Sequence, residues 1–211
     1  STYEELSHKV KLFLLTLNID RLECLMFHSY EIYKKNQHLF LSLKELKKNG
    51  IVSKFGVSLY LEEDIKEVIE NDFIDLIQIP FNLLDNLSLK GAIIREAKNK
   101  GKIIQARSIF LQGLFFKENF EGDKFLFSKI GDELLKIKEL VKFSKIPLTA
   151  LALNYCLNQS LIDYAVIGVD SLNQLKQNII STQLKIDDEI MNLINGIVTK
   201  NKDFLNPNNW K

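Results

Sequence analysis

Five short apolar runs in this chain each end on residues able to hydrogen-bond or to leave backbone open. Residues 24–27 precede His28, 52–57 precede Ser58, 76–79 precede Asn82, 102–106 precede Arg107 and Ser108, and 165–167 precede Gly168. Within the third run, Gln78 places a side-chain amide in an otherwise apolar strand, where it must find a partner. Beyond Gly168, Ser171 suits an N-cap, and the helix amino terminus it opens is a ready anion site. In a parallel α/β sheet every strand's carboxyl end opens onto one face, so function is to be sought where these endings gather.

The elements that must position them follow from periodicity. The spacing predicts an amphipathic helix over 3–17, with Leu6, Val10, Phe13, Leu14 and Leu17 on one face. A strand over 22–27 and a helix over 31–49 closed by Gly50 come next. A strand over 52–59 leads to a helix that opens on Glu62, Glu63 and Asp64, where acidic residues suit the positive end of the macrodipole, and runs through Ile69. A strand over 74–79 is expected to stop at Pro80, which cannot donate to a ladder. A helix over about 89–100, closed by Gly101, precedes a strand over 102–109. The segment 111–129 reads as a loop or lid with short helical pieces. Helices over 132–143 and 149–157, a strand over 165–169, and helices from Ser171 to about 180 and from Asp187 through 198 complete the chain. The tail over 206–211 reads as irregular, with Trp210 pinning it to the body. Strands alternating with helices every 25 to 30 residues argue for right-handed βαβ units and a parallel sheet covered on both faces.

Composition narrows the function classes. The 211 residues are 46% hydrophobic, enough to bury one substantial core, so the expectation is a single domain over 1–211. Lys and Arg number 28 against 27 Asp and Glu, which offers no broad basic field for nucleic acid. No apolar stretch reaches the ~20 residues that cross a bilayer, so no membrane partner is expected. Cys24 and Cys156 both sit inside apolar patterns, which fits a reducing, cytoplasmic setting. No His, Cys, Asp and Glu cluster has zinc spacing, and neither G-x-G-x-x-G nor G-x-x-x-x-G-K-[ST] occurs, so neither a metal site nor either of these phosphate loops is expected.

Each candidate has an ordinary reading beside the functional one. Taken alone, His28 is as well explained by a satisfied core or surface histidine, and Ser58 and Ser108 by strand-end hydroxyls. Arg107 also suits a salt-bridged rim, and His8 and His38 suit solvated helix faces. The aromatic run Phe110, Phe115, Phe116, Phe120, Phe125 and Phe127 reads as packing under a loop.

The segments LMFHSY (25–30), KFGVSLY (54–60), DLIQIPFNLLD (75–85), IIQARSIFLQGLFF (103–116) and VIGVDSLNQLKQN (166–178) resemble, in this order and spacing, the aldo-keto reductase superfamily. The resemblance covers nearly the whole chain and implies a TIM-type (β/α)8 barrel, here incomplete with about five parallel strands plus flanking helices. It implies NADP(H)-dependent reduction of a small-molecule carbonyl, with NAD(H) left open. His28 matches the family's active-site histidine, which hydrogen-bonds the substrate carbonyl; an imidazole can donate to an oxygen gaining negative charge. Ser58 and Gln78 match positions that hold the nicotinamide carboxamide, neutral groups that recognise orientation without adding charge. The position after Ser58, usually Asn in the family, is Leu59. Arg107 stands where many relatives place an aromatic ring against the nicotinamide.

By the same resemblance Ser108 and Phe110 border the pyrophosphate, and Gln112 with Gly113 lets backbone amides approach it. Gly168, Val169 and Asp170 lead into the last barrel helix. Gln174, Gln177 and Asn178 match positions that grip the adenosine 2′-phosphate and adenine, and the one basic residue of this stretch, Lys176, is off register. The family's catalytic tyrosine, lysine and aspartate sit on its first three βα units, and no residues here match them. The chain is therefore expected to represent a barrel lacking about three units of roughly 30 residues each, and to be close to inactive as given. A non-catalytic nucleotide-binding remnant or interaction scaffold, and another TIM-barrel enzyme with a phosphate site near Gly168, are the rival readings. Oligomeric state is left open.

Overall fold

The apolar runs form five strands in a computed structural model that describes residues 3–117 and 124–210. They are β1 (Leu22–Phe27), β2 (Val52–Ser58), β3 (Leu76–Pro80), β4 (Ile103–Arg107) and β5 (Tyr164–Ala165). Strand order is β1-β2-β3-β4-β5, each strand beside its sequence neighbour, as in a TIM-type barrel. The helices are α1 (Tyr3–Leu17), α2 (Tyr30–Lys35), α3 (Phe40–Lys48), α4 (Glu62–Ile69), α5 (Leu87–Asn99), α6 (Lys124–Ser144), α7 (Leu148–Leu157), α8 (Leu172–Ser181) and α9 (Asp188–Asn195). Two compact units are distinguishable, one running to Gln78 with Asn99–Ile103, the other comprising Ile79–Lys98 and the chain from Ile104 onward.

In the first unit, β1, β2 and β3 pair in parallel, with Cys24 opposite Lys54, Met26 opposite Gly56, and Gly56 opposite Leu76. A Cβ added at Gly56 would lie 3.0 Å from the Leu76 carbonyl oxygen and 3.1 Å from Met26 Cγ, so this crossing favours glycine. The fully buried Phe55 begins a packed series of rings, with Phe55 and Phe73 centroids 4.7 Å apart and Phe73 and Phe40 4.9 Å apart. Asp75 closes the strand entry: its carboxylate accepts the Phe55 N–H and the Lys47 ammonium, each at 2.8 Å. Lys102, buried before β4, donates to the carbonyls of Asn71 and Ile74.

The expected helix over 31–49 is instead two helices joined by a tight turn at Gln37–Leu39. Asn36 is the cause, because its amide donates back to the Ile32 carbonyl at 2.8 Å and competes with the next turn of helix. On α1 only Ser7 and Val10 are buried, while Phe13 and Leu17 of the expected apolar face stay half exposed. Gly50 and Gly101 adopt φ of +70° and +74° after their helices, the left-handed closure their positions imply.

In the second unit Pro80 belongs to β3 and does not end it early, because the ladder there runs through neighbouring groups. The Pro80 carbonyl accepts from Lys90 Nζ at 2.9 Å, and the Phe81 N–H donates to the Arg107 carbonyl. β5 is only two residues, shorter than the expected 165–169. Its partner β4 ends at Arg107 and Ser108 turns away with φ +57°, so after the Val166 N–H meets the Ala106 carbonyl no ladder remains. Helix α6 begins at Lys124, so 124–129 are helical and not lid; the middle of the expected lid, Phe120 included, lies outside the described residues. Ser171 and Asp187 cap α8 and α9 as their residue types predict, accepting the N–H groups of Gln174 and Ile190. The tail forms short turns in which the Trp210 indole donates to the Phe204 carbonyl at 2.8 Å.

The loop over 81–86 is the polar knot of this unit. Asn86, fully buried, donates to the carbonyls of Leu83, Ile194 and Ile197. Tyr155 stacks on Phe81 with centroids 5.5 Å apart, its hydroxyl accepting the Leu87 N–H and donating to Asn195 Oδ1.

Candidate functional site

Three of the candidate residues lie at the carboxyl ends of the first unit's strands. Ser58 closes β2 and stands in register with Gln78 on β3, and the Leu59 N–H continues that pairing by donating to the Gln78 carbonyl at 2.8 Å. His28 follows Phe27, which is level with Val57, so it enters the same end of the sheet one step beyond β1. Its side chain is exposed, and Ser29 beside it caps α2 by accepting the Ile32 N–H. Parallel pairing thus brings an imidazole, a hydroxyl and an amide to one strand-end row. Such a row can hydrogen-bond a neutral polar ligand without imposing charge.

The second unit carries a cleft of about 630 Å³, within the range of small-molecule and cofactor sites. Of the thirteen residues expected to hold the cofactor, nine line it: Ser108, Phe110, Gln112, Gly113, Gly168, Asp170, Gln174, Gln177 and Asn178. Val169 is not among the lining residues, and Arg107 lies one residue outside them, its guanidinium donating to Ser108 Oγ at 3.2 Å. Ile109, Phe116, Thr149, Val166 and Ile167 complete the lining. Phe110 and Phe116 pack edge to face with centroids 5.5 Å apart, so part of the aromatic run forms the cleft wall.

One wall of the cleft follows a tightly wound loop. Ser108, Leu111 and Gln112 hold φ of +57°, +46° and +52°, followed by Gly113 at +78°. Three non-glycine residues in this region within five positions store strain, which persists only where surrounding structure enforces it. The enforcement comes from Asn82, fully buried, whose amide donates to the Ser108 carbonyl at 3.1 Å. Its own oxygen accepts the N–H groups of Leu84 and Asp85. Next to it Asp85 and Lys90 form a buried ion pair at 2.6 Å. Burial pushes the Asp85 carboxyl above the usual carboxylate range and the Lys90 ammonium below its own, each opposed by the partner's charge.

The start of α8 also lines the cleft. The Asp170 N–H donates to Gln174 Oε1 at 2.7 Å and the Gln174 N–H to Ser171 Oγ at 3.2 Å, so protein oxygens occupy both donors. Asn178 is 7% exposed, lines the cleft, and its side-chain amide makes no hydrogen bond with another described residue. Asp170 is the one charged side chain among the described lining residues, and Lys176, exposed on α8, is not part of the lining.

Sequence reasoning missed Asn82, Asp85 and Lys90 as supports of this site. For the first two the signal was present, since Asn82 and Asp85 stand among the apolar residues of FNLLDN and buried polar groups are paired. Among the described residues no group of three or more His, Cys, Asp or Glu is arranged to hold a metal, and no helix is long and apolar enough to cross a membrane.

The model of the Aldo/keto reductase family matches residues 1–199. Among curated proteins the chain is 24% identical over 172 residues to a D-threo-aldose 1-dehydrogenase from a Pseudomonas species, covering 77% of this chain and 52% of that one. It is also 24% identical over 156 residues to a pyridoxal 4-dehydrogenase from Microbacterium luteolum, covering 71% and 45%. The chain thus spans about half the length of the curated relatives it matches. Among solved structures, an aldo-keto reductase from Bacillus halodurans in its holo form superposes with a TM-score of 0.77 at 22% identity, covering 93% of this chain and 65% of that one.

Proposed function

This chain belongs to the aldo/keto reductase family, and on that premise we propose that it serves a nicotinamide-dependent oxidoreductase acting on a small-molecule carbonyl. The single observation that carries the reading is the cleft of the second unit, which nine of the residues expected to hold the cofactor line, Asn178 among them. The Asn178 amide suits the donor and acceptor edges of a nucleotide base. The Gln112 backbone N–H, the close approach that Gly113 allows and the ring of Phe110 suit a pyrophosphate and an adenosine, so the donor set fits NAD(P)H. When bound, that cofactor supplies hydride.

The chain's own residues orient and polarise. By the family resemblance, Ser58 and Gln78 at the strand ends of the first unit suit a nicotinamide carboxamide with neutral groups, and His28 suits a hydrogen bond to a carbonyl oxygen, favouring the form that carries negative charge. The dehydrogenase names of the two curated relatives support a small polar aldehyde or alcohol as substrate. The free thiols Cys24 and Cys156 support a reducing, cytoplasmic setting. No residue here matches the family's tyrosine, lysine and aspartate, so the 211-residue chain binds nucleotide but turns over close to background. The test is fluorescence titration with NADH and NADPH, followed by nucleotide oxidation with 4-nitrobenzaldehyde. Saturable binding with negligible turnover is expected; absence of binding overturns the cofactor reading, and brisk turnover overturns the inactivity.

A further inference from the structure

The cleft that holds the adenosine half of the cofactor, if the reading above is right, discriminates at the ribose 2′ position. We propose that Asp170 is a specificity-determining residue there, selecting a free 2′-hydroxyl and therefore NAD(H) over NADP(H). This rests on the proposed function and adds to it the identity of the nucleotide.

Three observations converge. First, Asp170 is the one charged side chain among the fourteen described residues lining the cleft. A carboxylate accepts a hydrogen bond from a hydroxyl but repels a phosphate dianion, which requires cations or free N–H donors instead. Second, two of the backbone donors around the start of α8 are already taken by protein oxygens. The Asp170 N–H is bound by Gln174 Oε1 at 2.7 Å and the Gln174 N–H by Ser171 Oγ at 3.2 Å. Third, the remaining polar side chains on this wall, Gln174, Gln177 and Asn178, are uncharged amides, and Lys176 is exposed outside the lining. Neutral amides suit the hydroxyls of a ribose and the edge of a base, but contribute no charge to offset a dianion.

The macrodipole of α8 works in the other direction, favouring any anion near its start. It acts on any anion near the start of α8, a 2′-phosphate included, and so offsets part of the repulsion from Asp170. The choice falls to the group that differs, the 2′ substituent, and to the charge nearest the start of α8, which is negative.

The experiment titrates the 211-residue chain with ADP-ribose and with its 2′-phosphate by calorimetry, and with NADH and NADPH by fluorescence. The ligands lacking the 2′-phosphate are expected to bind about three- to tenfold tighter, the scale of one solvent-exposed charge acting on a dianion. In Asp170→Asn the preference shrinks toward unity, chiefly because the phosphorylated ligands bind tighter, and raising salt shrinks it in the parent chain. Asp170 is exposed, so far-ultraviolet circular dichroism should remain unchanged in the variant. Equal or tighter binding of the phosphorylated ligands, or a preference unmoved by Asp170→Asn, overturns the assignment of Asp170 while leaving the cofactor reading intact. Failure of all four ligands to bind overturns the cofactor reading itself, and the specificity with it.

Discussion

Replacing Asn82 by alanine tests whether the strained loop bordering the cleft is held from behind. Three hydrogen bonds disappear: the amide to the Ser108 carbonyl at 3.1 Å, and the N–H groups of Leu84 and Asp85 to Oδ1 at 2.9 and 3.0 Å. At about 1 kcal/mol net for each bond, the loss is about 3 kcal/mol. Leu84 and Asp85 are themselves buried, so their N–H groups lose a partner without gaining water, which places the effect at the upper side of that figure. The chain has one tryptophan, Trp210, within the same unit as Asn82, so its fluorescence during urea unfolding reports on the relevant part. With a urea dependence of about 2 to 3 kcal/mol per molar, the midpoint falls by about 1 M. Affinity for ADP-ribose falls as well, because Ser108 is released from φ +57°. A midpoint within about 0.2 M of the parent would refute the idea that Asn82 enforces this loop.

Three further outcomes follow from the same geometry. Lys90→Met leaves the Asp85 charge buried without its partner and costs roughly 3 to 5 kcal/mol at neutral pH, measured by the same unfolding assay. Burial holds the Asp85 carboxyl above its ordinary value of 3.8, so the native state binds more protons than the unfolded one above that pH. The deficit of Lys90→Met therefore narrows as pH falls from 7 toward 4, and a deficit that widened would contradict the burial. Burial also pushes the Cys24 thiol up to about 11 and the Cys156 thiol up to about 12, so both react with Ellman's reagent at pH 8 at least about a hundredfold more slowly in the native chain than in urea. His28→Ala, at an exposed strand end, shifts stability by less than about 0.5 kcal/mol and leaves nucleotide affinity unchanged; a large loss in a thermal melt would mark it as structural instead.

What could be read from the sequence was what depends on neighbours in the chain. Ser171 and Asp187 cap their helices, and Gly50 and Gly101 close theirs, because each answers to backbone within four residues. The extents of β3 and β5 depend on partners elsewhere: β5 stops where β4 has already turned away, and Pro80 stays in its strand because the Phe81 N–H just beyond it still pairs with the Arg107 carbonyl. At the cleft, Gly113 announces a turn, whereas the left-handed φ of Ser108 is supported through its carbonyl by Asn82, more than twenty residues earlier. Ser58 and Gln78 come side by side through strand register, which alternating apolar residues suggest and which hydrogen bonding fixes.

The Asn86 amide spans more than a hundred positions to reach the carbonyls of Ile194 and Ile197. During synthesis at roughly 5 to 20 residues per second, that side chain waits several seconds or longer before its acceptors have even been made. Until they emerge, the 81–86 knot holds polar groups that only the distal helix region can satisfy. Native closure of the second unit is therefore a late event that follows translation of its last helix, and chaperone protection would matter most in that interval.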